Sequence, residues 1–240
     1  MRKKNTHSKA ALGVAIVVLA ALGWFAGIAS AGMITVEAVD DHYAKGGAYA
    51  DDVINGNGDG DTLVIKNSSN AGTQRKAWAK FDLSGYNVDT TAGATITLRI
   101  GSTTRVGVLR VAVLNSGFTG TTDWDEDTLT WNNAPANNTG SRTSFTSDAT
   151  ELTDSLAFDG ADGIGTAYTV NIAQLGAFIQ SDNTVTIMFS GATGVDETPF
   201  ISSEHDTYDG PQLTFTVIPE PSSVCLIVAG IGLMMRRRNG

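Results

Sequence analysis

The sequence predicts an all-β protein, an antiparallel β-sandwich with one short helix, flanked by an N-terminal signal helix and a short C-terminal hydrophobic helix. Apolar and polar residues alternate in at least eight short runs, in which Val, Ile, Thr and aromatic residues dominate. Clusters of Gly, Asn, Asp and Ser separate these runs, which is typical of turns between strands. The absence of a repeat of roughly 20 to 50 residues argues against a solenoid or a propeller.

The alternating runs predict strands with one face on a core and one face in water. Residues 173–181 have the helical period instead, because Leu175, Phe178 and Ile179 share one face. This segment predicts one or two helical turns at an end of the sandwich. The predicted strands are residues 34–39, 62–66, 77–83, 94–100, 106–114, 167–172, 184–189 and 212–218.

The N-terminus has the form of a secretory signal peptide. Four basic residues lie before an apolar stretch over residues 10–28, and small residues follow it at Ala29, Ser30 and Ala31. The pattern predicts cleavage after Ala31, with Ala29 and Ala31 as the recognised positions. A retained membrane anchor is the alternative, and both interpretations predict export of the rest of the chain.

The C-terminus combines an apolar run with three arginines. Residues 222–235 would form a helix of about 21 Å, which is short against a hydrocarbon core of about 30 Å. Pro219 and Pro221 keep the preceding junction extended, and basic residues stay on the cytoplasmic side of a membrane. The segment therefore predicts a membrane-inserted precursor rather than a permanent span. The basic residues are Arg236, Arg237 and Arg238.

Pro219-Glu220-Pro221, the apolar run and the terminal arginines together resemble the PEP-CTERM sorting signal of Gram-negative bacteria. The resemblance implies transient inner-membrane association, recognition by an exosortase-like processing enzyme, and delivery to the cell surface or extracellular matrix. An ordinary C-terminal anchor is the alternative. The chain thus divides into a signal peptide (1–31), a sandwich domain (32–218) and a sorting tail (219–240).

The charge of the predicted domain excludes some partners. Without the four basic residues of 1–31, and without the three arginines and one glutamate of 219–240, 9 basic and 24 acidic residues remain, a net charge of -15. Nucleic acid is therefore not an expected partner. The chain's only cysteine, Cys225, lies in the tail, so the domain must be stable without disulfides.

The motifs of common hydrolases and nucleotide-binding proteins are missing from the sequence, which has no Gly-x-Ser-x-Gly, His-Glu-x-x-His or Gly-Lys-Ser/Thr segment. Glu204-His205-Asp206 contains acid and base groups, but neighbours on a strand point to opposite faces. We therefore predict that the protein is not an enzyme and expect no catalytic residues. A polysaccharide-acting enzyme remains the third hypothesis.

An acidic, glycine-rich segment is a candidate calcium loop. Oxygen-bearing side chains occur at every second residue of 55–61, which resembles the first half of a calcium-binding loop. The twelfth position counted from Asn55 is Lys66, where an EF-hand needs glutamate, and such residues also form turns without an ion. Calcium is thus one interpretation and a plain turn the other. The candidate ligands are Asn55, Asn57, Asp59 and Asp61.

Residues 123–135, DWDEDTLTWNNAP, form an acidic turn and an Asn-rich corner closed by proline. We predict a short strand that presents Leu129 and Trp131 on one face, with Trp131 in the core and Asn132 bonded to local backbone. The segment resembles part of the DNRLRE-type domain, which is related to the family 96 carbohydrate-binding modules. Further motifs of that family follow the same order: Asp41-His42-Tyr43, the stretch 75–84 (RKAWAKFDLS), and Ser203-Glu204 before Pro211-Gln212-Leu213.

This second resemblance implies a jelly-roll sandwich that binds an extracellular polysaccharide without catalysis. The main alternative is a purely structural or adhesive matrix protein without a sugar site. Exposed aromatic residues commonly form glycan platforms. Arg75, Lys76 and Lys80, close to Phe81-Asp82-Leu83, form the best local basic patch. The candidate carbohydrate-binding residues are Tyr43, Tyr49, Arg75, Lys76, Lys80, Tyr86, Trp124 and Tyr208.

Overall fold

Twelve strands and three short 3₁₀ turns form the regular structure within residues 31–54, 61–102, 107–152, 156–193 and 197–219, which the computed structural model describes. The predicted terminal helices lie outside these residues. The 3₁₀ turns are Gly47–Tyr49, Ala71–Thr73 and Leu175–Ala177. The strands are β1 (Gly32–Glu37), β2 (Asp40–Lys45), β3 (Thr62–Ile65), β4 (Arg75–Asp82), β5 (Ala94–Arg99), β6 (Gly107–Leu114), β7 (Ala149–Glu151), β8 (Leu156–Phe158), β9 (Ala167–Ile172), β10 (Thr184–Thr193), β11 (Thr198–Ile201) and β12 (Gln212–Val217).

The strands form two principal sheets in a jelly-roll order. One sheet runs β1-β12-β5-β9, and the other runs β2-β4-β10-β6-β7, with β8 also paired to β6; β3 and β11 form a separate ribbon. If β1, β4, β5, β6, β7, β9, β10 and β12 are counted from 1 to 8, the first sheet reads 1-8-3-6. The second sheet then reads 2-7-4-5, which is the jelly-roll arrangement. The predicted antiparallel β-sandwich is therefore confirmed.

The main core lies between the inner faces of the two sheets. Alternate residues of β5 are buried, as period-two strand geometry requires, and residues of β4, β6, β10 and β12 pack in the same cluster. Phe81, Phe189 and Phe215 are at most 1% exposed. Truncating a large core side chain of this kind costs about 3 to 5 kcal/mol, so these positions strongly constrain the sequence.

A second apolar cluster covers the outer face of the six-stranded sheet. Residues 115–148, which join β6 to β7 and which we call the cover segment, pack Trp124, Leu129 and Trp131 against that face. The sheet contributes Trp78 and Met188, both fully buried. Strand β4 is consequently buried on both faces from residue 76 to 81. The prediction of one wet face holds for β5 but is wrong for β4.

Two local predictions need correction or refinement. Residues 129–131 do not form a strand; they belong to a series of turns, although Leu129 and Trp131 are each 1% exposed as expected. The helical segment predicted over 173–181 is a single 3₁₀ turn, Leu175–Ala177, with Leu175 buried. In the described part of the chain, no helix is long and apolar enough to cross a membrane.

Candidate functional site

A cavity of about 510 Å³ opens where β2 ends and β4 begins. We call it the first cavity. It combines two tyrosines, two cations and two carboxylates with a small apolar wall. The lining residues are Tyr43, Lys45, Tyr49, Asp51, Asp52, Val53, Ile54 and Arg75.

The pairing of β2 with β4 places the two cations of this cavity side by side. Lys45 lies opposite Arg75 in the antiparallel register, and Tyr43 lies two residues earlier on the same face of β2. The backbone N–H of Gly46 donates to the carbonyl of Gln74 at 3.1 Å and closes the end of the strand pair. The fold thus brings together residues that are 30 positions apart in the sequence.

A 3₁₀ turn delivers Tyr49 to the cavity. Gly47 begins the turn with φ of 70°, in the left-handed region that glycine adopts without steric cost. The N–H groups of Ala50 and Asp52 donate to the carbonyls of Gly47 and Tyr49 at 3.2 and 3.1 Å. Tyr49 remains 44% exposed, so part of its ring is available to a ligand.

The cations of the first cavity lie over its aromatic rings. Lys45 Nζ is 3.7 Å from the centroid of the Tyr49 ring, and Arg75 Cζ is 5.5 Å from that of the Tyr43 ring. Cations within about 6 Å of a ring centroid are attracted by its electron-rich face. These contacts hold the side chains in defined positions before any ligand arrives.

Glu197 supports Arg75 from outside the cavity. Its carboxylate oxygens lie 3.0 Å from Arg75 Nη1 and 3.1 Å from Lys66 Nζ. Burial opposes the charge of Glu197, but the two cations outweigh it and hold the pKa of Glu197 below its usual value. The Nε of Arg75 is buried without a hydrogen-bond partner among the described residues.

The cover segment fixes the wall that carries Asp51. The N–H of Asn132 donates to the carbonyl of Ala50 at 3.0 Å, and Asn132 Nδ2 donates to Asp51 Oδ1 at 2.7 Å. The prediction that Asn132 bonds local backbone is therefore wrong, because its partners lie about 80 residues earlier in the chain. Asn132 connects the motif stretch 123–135 to the first cavity.

The predicted basic patch of Arg75, Lys76 and Lys80 does not form a surface. Lys76 is fully buried beneath the cover segment and Lys80 is 7% exposed, whereas Arg75 reaches the first cavity. The register of β4 explains this difference, since residues 76, 78 and 80 share the face that the cover segment packs against.

Lys76 is held by the cover segment through three acceptors. Its Nζ donates to Asn137 Oδ1 at 2.8 Å, to the Asn138 carbonyl at 3.2 Å and to the Ser144 carbonyl at 2.7 Å. The ammonium also lies 4.7 Å from the ring centroid of Trp131. Burial lowers the pKa of Lys76 to about 7. This lysine organises the cover segment and has no access to a glycan.

Lys80 and Trp124 form a second buried unit. Lys80 Nζ donates to the Trp124 carbonyl and lies 2.6 Å from Asp40 Oδ2, while Trp124 Nε1 donates to Thr186 Oγ1 at 3.2 Å. Trp124 is 5% exposed and cannot act as an open platform. Its polar N–H is satisfied within the protein, as expected for a buried tryptophan.

Two other predicted tyrosines are exposed but lie away from the first cavity. Tyr86 is 41% exposed and lines a different cavity near the end of β4. Tyr208 is 39% exposed and packs beside Gly165 and His205. Of the eight predicted carbohydrate-binding residues, the first cavity therefore unites Tyr43, Tyr49 and Arg75.

A group of acidic side chains lies at the edge of the six-stranded sheet. Asp41 on edge strand β2 is 2% exposed; its Oδ2 accepts from the Ser203 N–H at 2.9 Å, and its Oδ1 has no partner among the described residues. Burial, with the charge of Glu204, raises the pKa of Asp41 to about 8. Burial and a hydrogen bond with Glu204 raise the pKa of Glu126 to about 7.

His205 is engaged in local structure. Its Nδ1 accepts from the N–H groups of Thr207 and Tyr208 at 3.1 and 3.2 Å, which leaves Nδ1 unable to take a proton from a substrate. Glu204 lies in a turn rather than on a strand, and it interacts with Glu126 and Ser203. The histidine beside the acidic group is His42, whose pKa burial lowers.

The calcium prediction falls mostly outside the described residues, because Asn55, Asn57 and Asp59 are not among them. Asp61 is described, and its carbonyl accepts from the Ser202 N–H at 3.1 Å. Across the ranges that the structure covers, no three or more His, Cys, Asp or Glu side chains are arranged to hold a metal ion. Calcium binding stays a prediction.

Sequence reasoning missed Lys45, Asp51 and Asp52 as neighbours of the predicted tyrosines. Lys45 follows Tyr43 by two residues on a strand, so the period of two could have placed both on one face. The two aspartates carry no comparable signal, because a turn of unknown shape separates them from β2. Their position depends on the hydrogen bonds of Asn132 to Ala50 and Asp51.

The fold and the first cavity define a β-sandwich binding domain. The family model described as "Carbohydrate-binding module family 96" matches residues 32–159, which is more than half of the 240 residues. The chain therefore belongs to carbohydrate-binding module family 96. The match includes β1 to β8, the first cavity and the cover segment.

Curated proteins gave no match to this chain. Among solved structures, one described as "Structural basis for the promiscuous specificity of the carbohydrate-binding modules from the beta-sandwich super family" is similar, with 8% sequence identity and a TM-score of 0.25. The alignment covers 80% of this chain and 57% of that chain, so this chain spans little more than half of the length of the solved structure.

Proposed function

We propose that the protein binds an extracellular polysaccharide, without catalysis, in the first cavity. The observation that supports this most directly is the meeting of Tyr43, Tyr49 and Arg75 with Lys45 and two carboxylates in one open cavity. Membership of a carbohydrate-binding module family agrees with this role. The main alternative is a structural matrix protein that uses the sandwich as a spacer.

The residues of the first cavity suit the two faces of a sugar. The exposed part of the Tyr49 ring can contact the apolar C–H face of a sugar ring, and the adjacent Lys45 can donate to a sugar oxygen. Asp51 and Asp52 can accept from sugar hydroxyls, and the guanidinium of Arg75, which lines the cavity, can donate to sugar oxygens. Because these side chains are already held by neighbours, binding requires little ordering.

Exchange of Tyr49→Ala is expected to weaken polysaccharide binding about tenfold while leaving the fold intact. The change removes an exposed ring, and a tenfold loss corresponds to about 1.4 kcal/mol. Affinity electrophoresis against a panel of neutral and acidic polysaccharides measures the effect. Tyr208→Ala is the matched control, since Tyr208 has similar exposure but lies outside the cavity. Retardation by no polysaccharide would instead favour the structural alternative.

We further propose that the protein is exported after cleavage behind Ala31 and sorted to the surface or matrix by residues 219–240. The support is the order of signals in the sequence: a basic and apolar N-terminus, then Pro219-Glu220-Pro221, an apolar run and three arginines. The proposed partners are the export machinery and an exosortase-like enzyme of a Gram-negative bacterium. The precursor associates transiently with the inner membrane.

A further inference from the structure

A second cavity, of about 410 Å³, lies beyond the other end of β4. Strand β4 begins at Arg75, which lines the first cavity, and ends at Asp82. Leu83, the next residue, and Tyr86 line the second cavity. Eight strand residues span roughly 26 Å, so the two cavities are at opposite ends of the sandwich. A single short ligand cannot occupy both cavities.

The second cavity has the composition of a site for a neutral sugar. Its lining includes the exposed ring of Tyr86, the amides of Asn87 and Asn183, and the hydroxyl of Thr90. Val88 and Ile179, partly buried against the main core, provide apolar surface. None of the residues that line this cavity is charged, although acidic residues outnumber basic residues 25 to 16 in the chain.

Backbone hydrogen bonds tie the walls of the second cavity together. The Leu83 N–H donates to the Asn183 carbonyl at 3.0 Å, and the Gly176 N–H donates to the Thr90 carbonyl at 3.1 Å. A Cβ on Gly176 would lie 2.4 Å from the Thr90 carbonyl oxygen, so the walls are in direct contact there. The Tyr86 ring is set edge-to-face on Phe215, with centroids 5.5 Å apart. The cavity is therefore formed before a ligand binds.

Three aspartates directly adjoin, in the chain, residues that line the second cavity, and their charge disfavours an anionic ligand. Asp82, Asp89 and Asp182 each accept a hydrogen bond from the N–H two residues later, at 2.8 to 3.0 Å. Hydrogen bonds from Ser84 and Thr91 lower the pKa of Asp82 and Asp89, respectively. These carboxylates stay negative at neutral pH and repel acidic sugars, whereas a neutral sugar feels no such repulsion.

We propose that the second cavity is an additional carbohydrate-binding site, specific for a neutral polysaccharide, with a sugar ring stacked on Tyr86. Asn87, Thr90 and Asn183 provide hydrogen-bonding groups for the sugar hydroxyls. This inference goes beyond the proposed function because the second site does not depend on the first cavity. If both cavities bind, one molecule connects two polysaccharide chains, and this bridging rests on the proposed function.

The test compares Tyr86→Ala with Tyr49→Ala in affinity electrophoresis against neutral and acidic polysaccharides. We expect Tyr86→Ala to weaken binding to a neutral polysaccharide about tenfold and to leave binding to acidic ones unchanged. Thr90→Val, which removes a hydroxyl at nearly constant volume, is also expected to weaken binding to the neutral polysaccharide. It serves as the test variant if Tyr86→Ala does not fold. Tyr208→Ala is the exposed-tyrosine control and should behave as wild type.

A bridging measurement completes the test. Beads of a neutral polysaccharide, coated with the protein, should capture a second, fluorescent polysaccharide from solution, and either cavity variant should reduce capture strongly. Unchanged affinity of folded Tyr86→Ala and Thr90→Val for every neutral polysaccharide overturns the inference, even if Tyr49→Ala weakens binding. Loss of binding in the Tyr86 and Thr90 variants alone supports the second site and counts against the first cavity.

Discussion

Asp41 is an acidic residue in surroundings that disfavour its negative charge. It is 2% exposed, and the nearby Glu204 and Glu126 add like charge. Asp40 and Lys80, on the outer face of the same strand pair, satisfy one another at 2.6 Å. Asp41 is therefore neutral in the folded protein over a wide pH range. The contribution of Asp41 to the free energy of unfolding of the protein consequently depends on pH.

The contribution of Asp41 to the free energy of unfolding should fall between pH 5 and pH 7. An unfolded aspartate ionises near pH 3.8, but the pKa of folded Asp41 is about 8, so its contribution is complete below pH 3.8 and declines as pH rises toward 8. Glu126 acts with the same sign between 4.5 and about 7. The loss from Asp41 is at most about 3 kcal/mol over this window, and urea unfolding at each pH measures it.

Asp41→Asn is the matched variant for this pH dependence. The amide keeps the acceptor for the Ser203 N–H but cannot ionise, so the decline between pH 5 and pH 7 should flatten. Lys76 does not interfere, because its pKa of about 7 makes stability rise only above pH 7. His42, whose pKa burial lowers, contributes with the opposite sign up to about pH 6.5, but it does so in both proteins. Equal slopes for wild type and Asp41→Asn over this window would show that Asp41 is ionised in the folded state.

At the scale of elements, the alternation of β5 predicted its bounds to within one residue, 94–100 against Ala94–Arg99, and its buried face. The prediction for β4 failed on one face, because alternation cannot show that a segment 34 residues long will fold back over the outer side of a sheet. The sequence contained the evidence in another form: β4 carries Trp78 between two lysines, and the cover segment carries two tryptophans. Pairing these groups required the tertiary structure.

The candidate site was predictable to a similar extent. The aromatic residues Tyr43 and Tyr49 and the cation Arg75 could be proposed from residue class, but the cation Lys76 and the aromatic Trp124 belong to the same classes and are buried. Residue type predicts what a side chain can do, whereas exposure depends on strand register and on the cover segment. The bounds of β5, β9 and β12 were predicted to within one residue because turn residues mark them locally, but β2, which carries Tyr43 and Lys45, was not predicted as a strand.

Lys76→Met should lower the free energy of unfolding by about 3 kcal/mol. Methionine fills similar space but leaves the acceptors of Asn137, Asn138 and Ser144 without their donor, and buried unsatisfied acceptors cost about 1 to 3 kcal/mol each. Urea unfolding at pH 6 measures the change. Lys66→Met, which breaks a partly exposed pair with Glu197, is the control and should cost less than about 1 kcal/mol. Equal losses in both variants would contradict the anchoring role of Lys76.

At the scale of the whole molecule, the outer faces of the two sheets differ. The cover segment occupies the outer face of the six-stranded sheet, whereas the four-stranded sheet presents polar side chains such as Thr214, Thr95 and Asn171, aligned across β12, β5 and β9. The cavities that carry exposed tyrosines instead lie at the ends of the sandwich. The proposed binding at both ends would allow one molecule to join two polysaccharide chains.

The sorting tail is expected to determine where the protein accumulates. Deletion of residues 219–240 removes the proline corner, the apolar run and the arginines, so the protein should be released into the medium rather than retained at the surface. Immunoblots of surface, membrane and medium fractions from a Gram-negative strain with an exosortase measure this. Replacing Arg236, Arg237 and Arg238 by alanine should also impair retention, because basic residues hold the C-terminal side of the run in the cytoplasm. The Tyr49→Ala protein controls for loss of polysaccharide binding, and surface retention of the truncated protein at the wild-type level would contradict sorting by the tail.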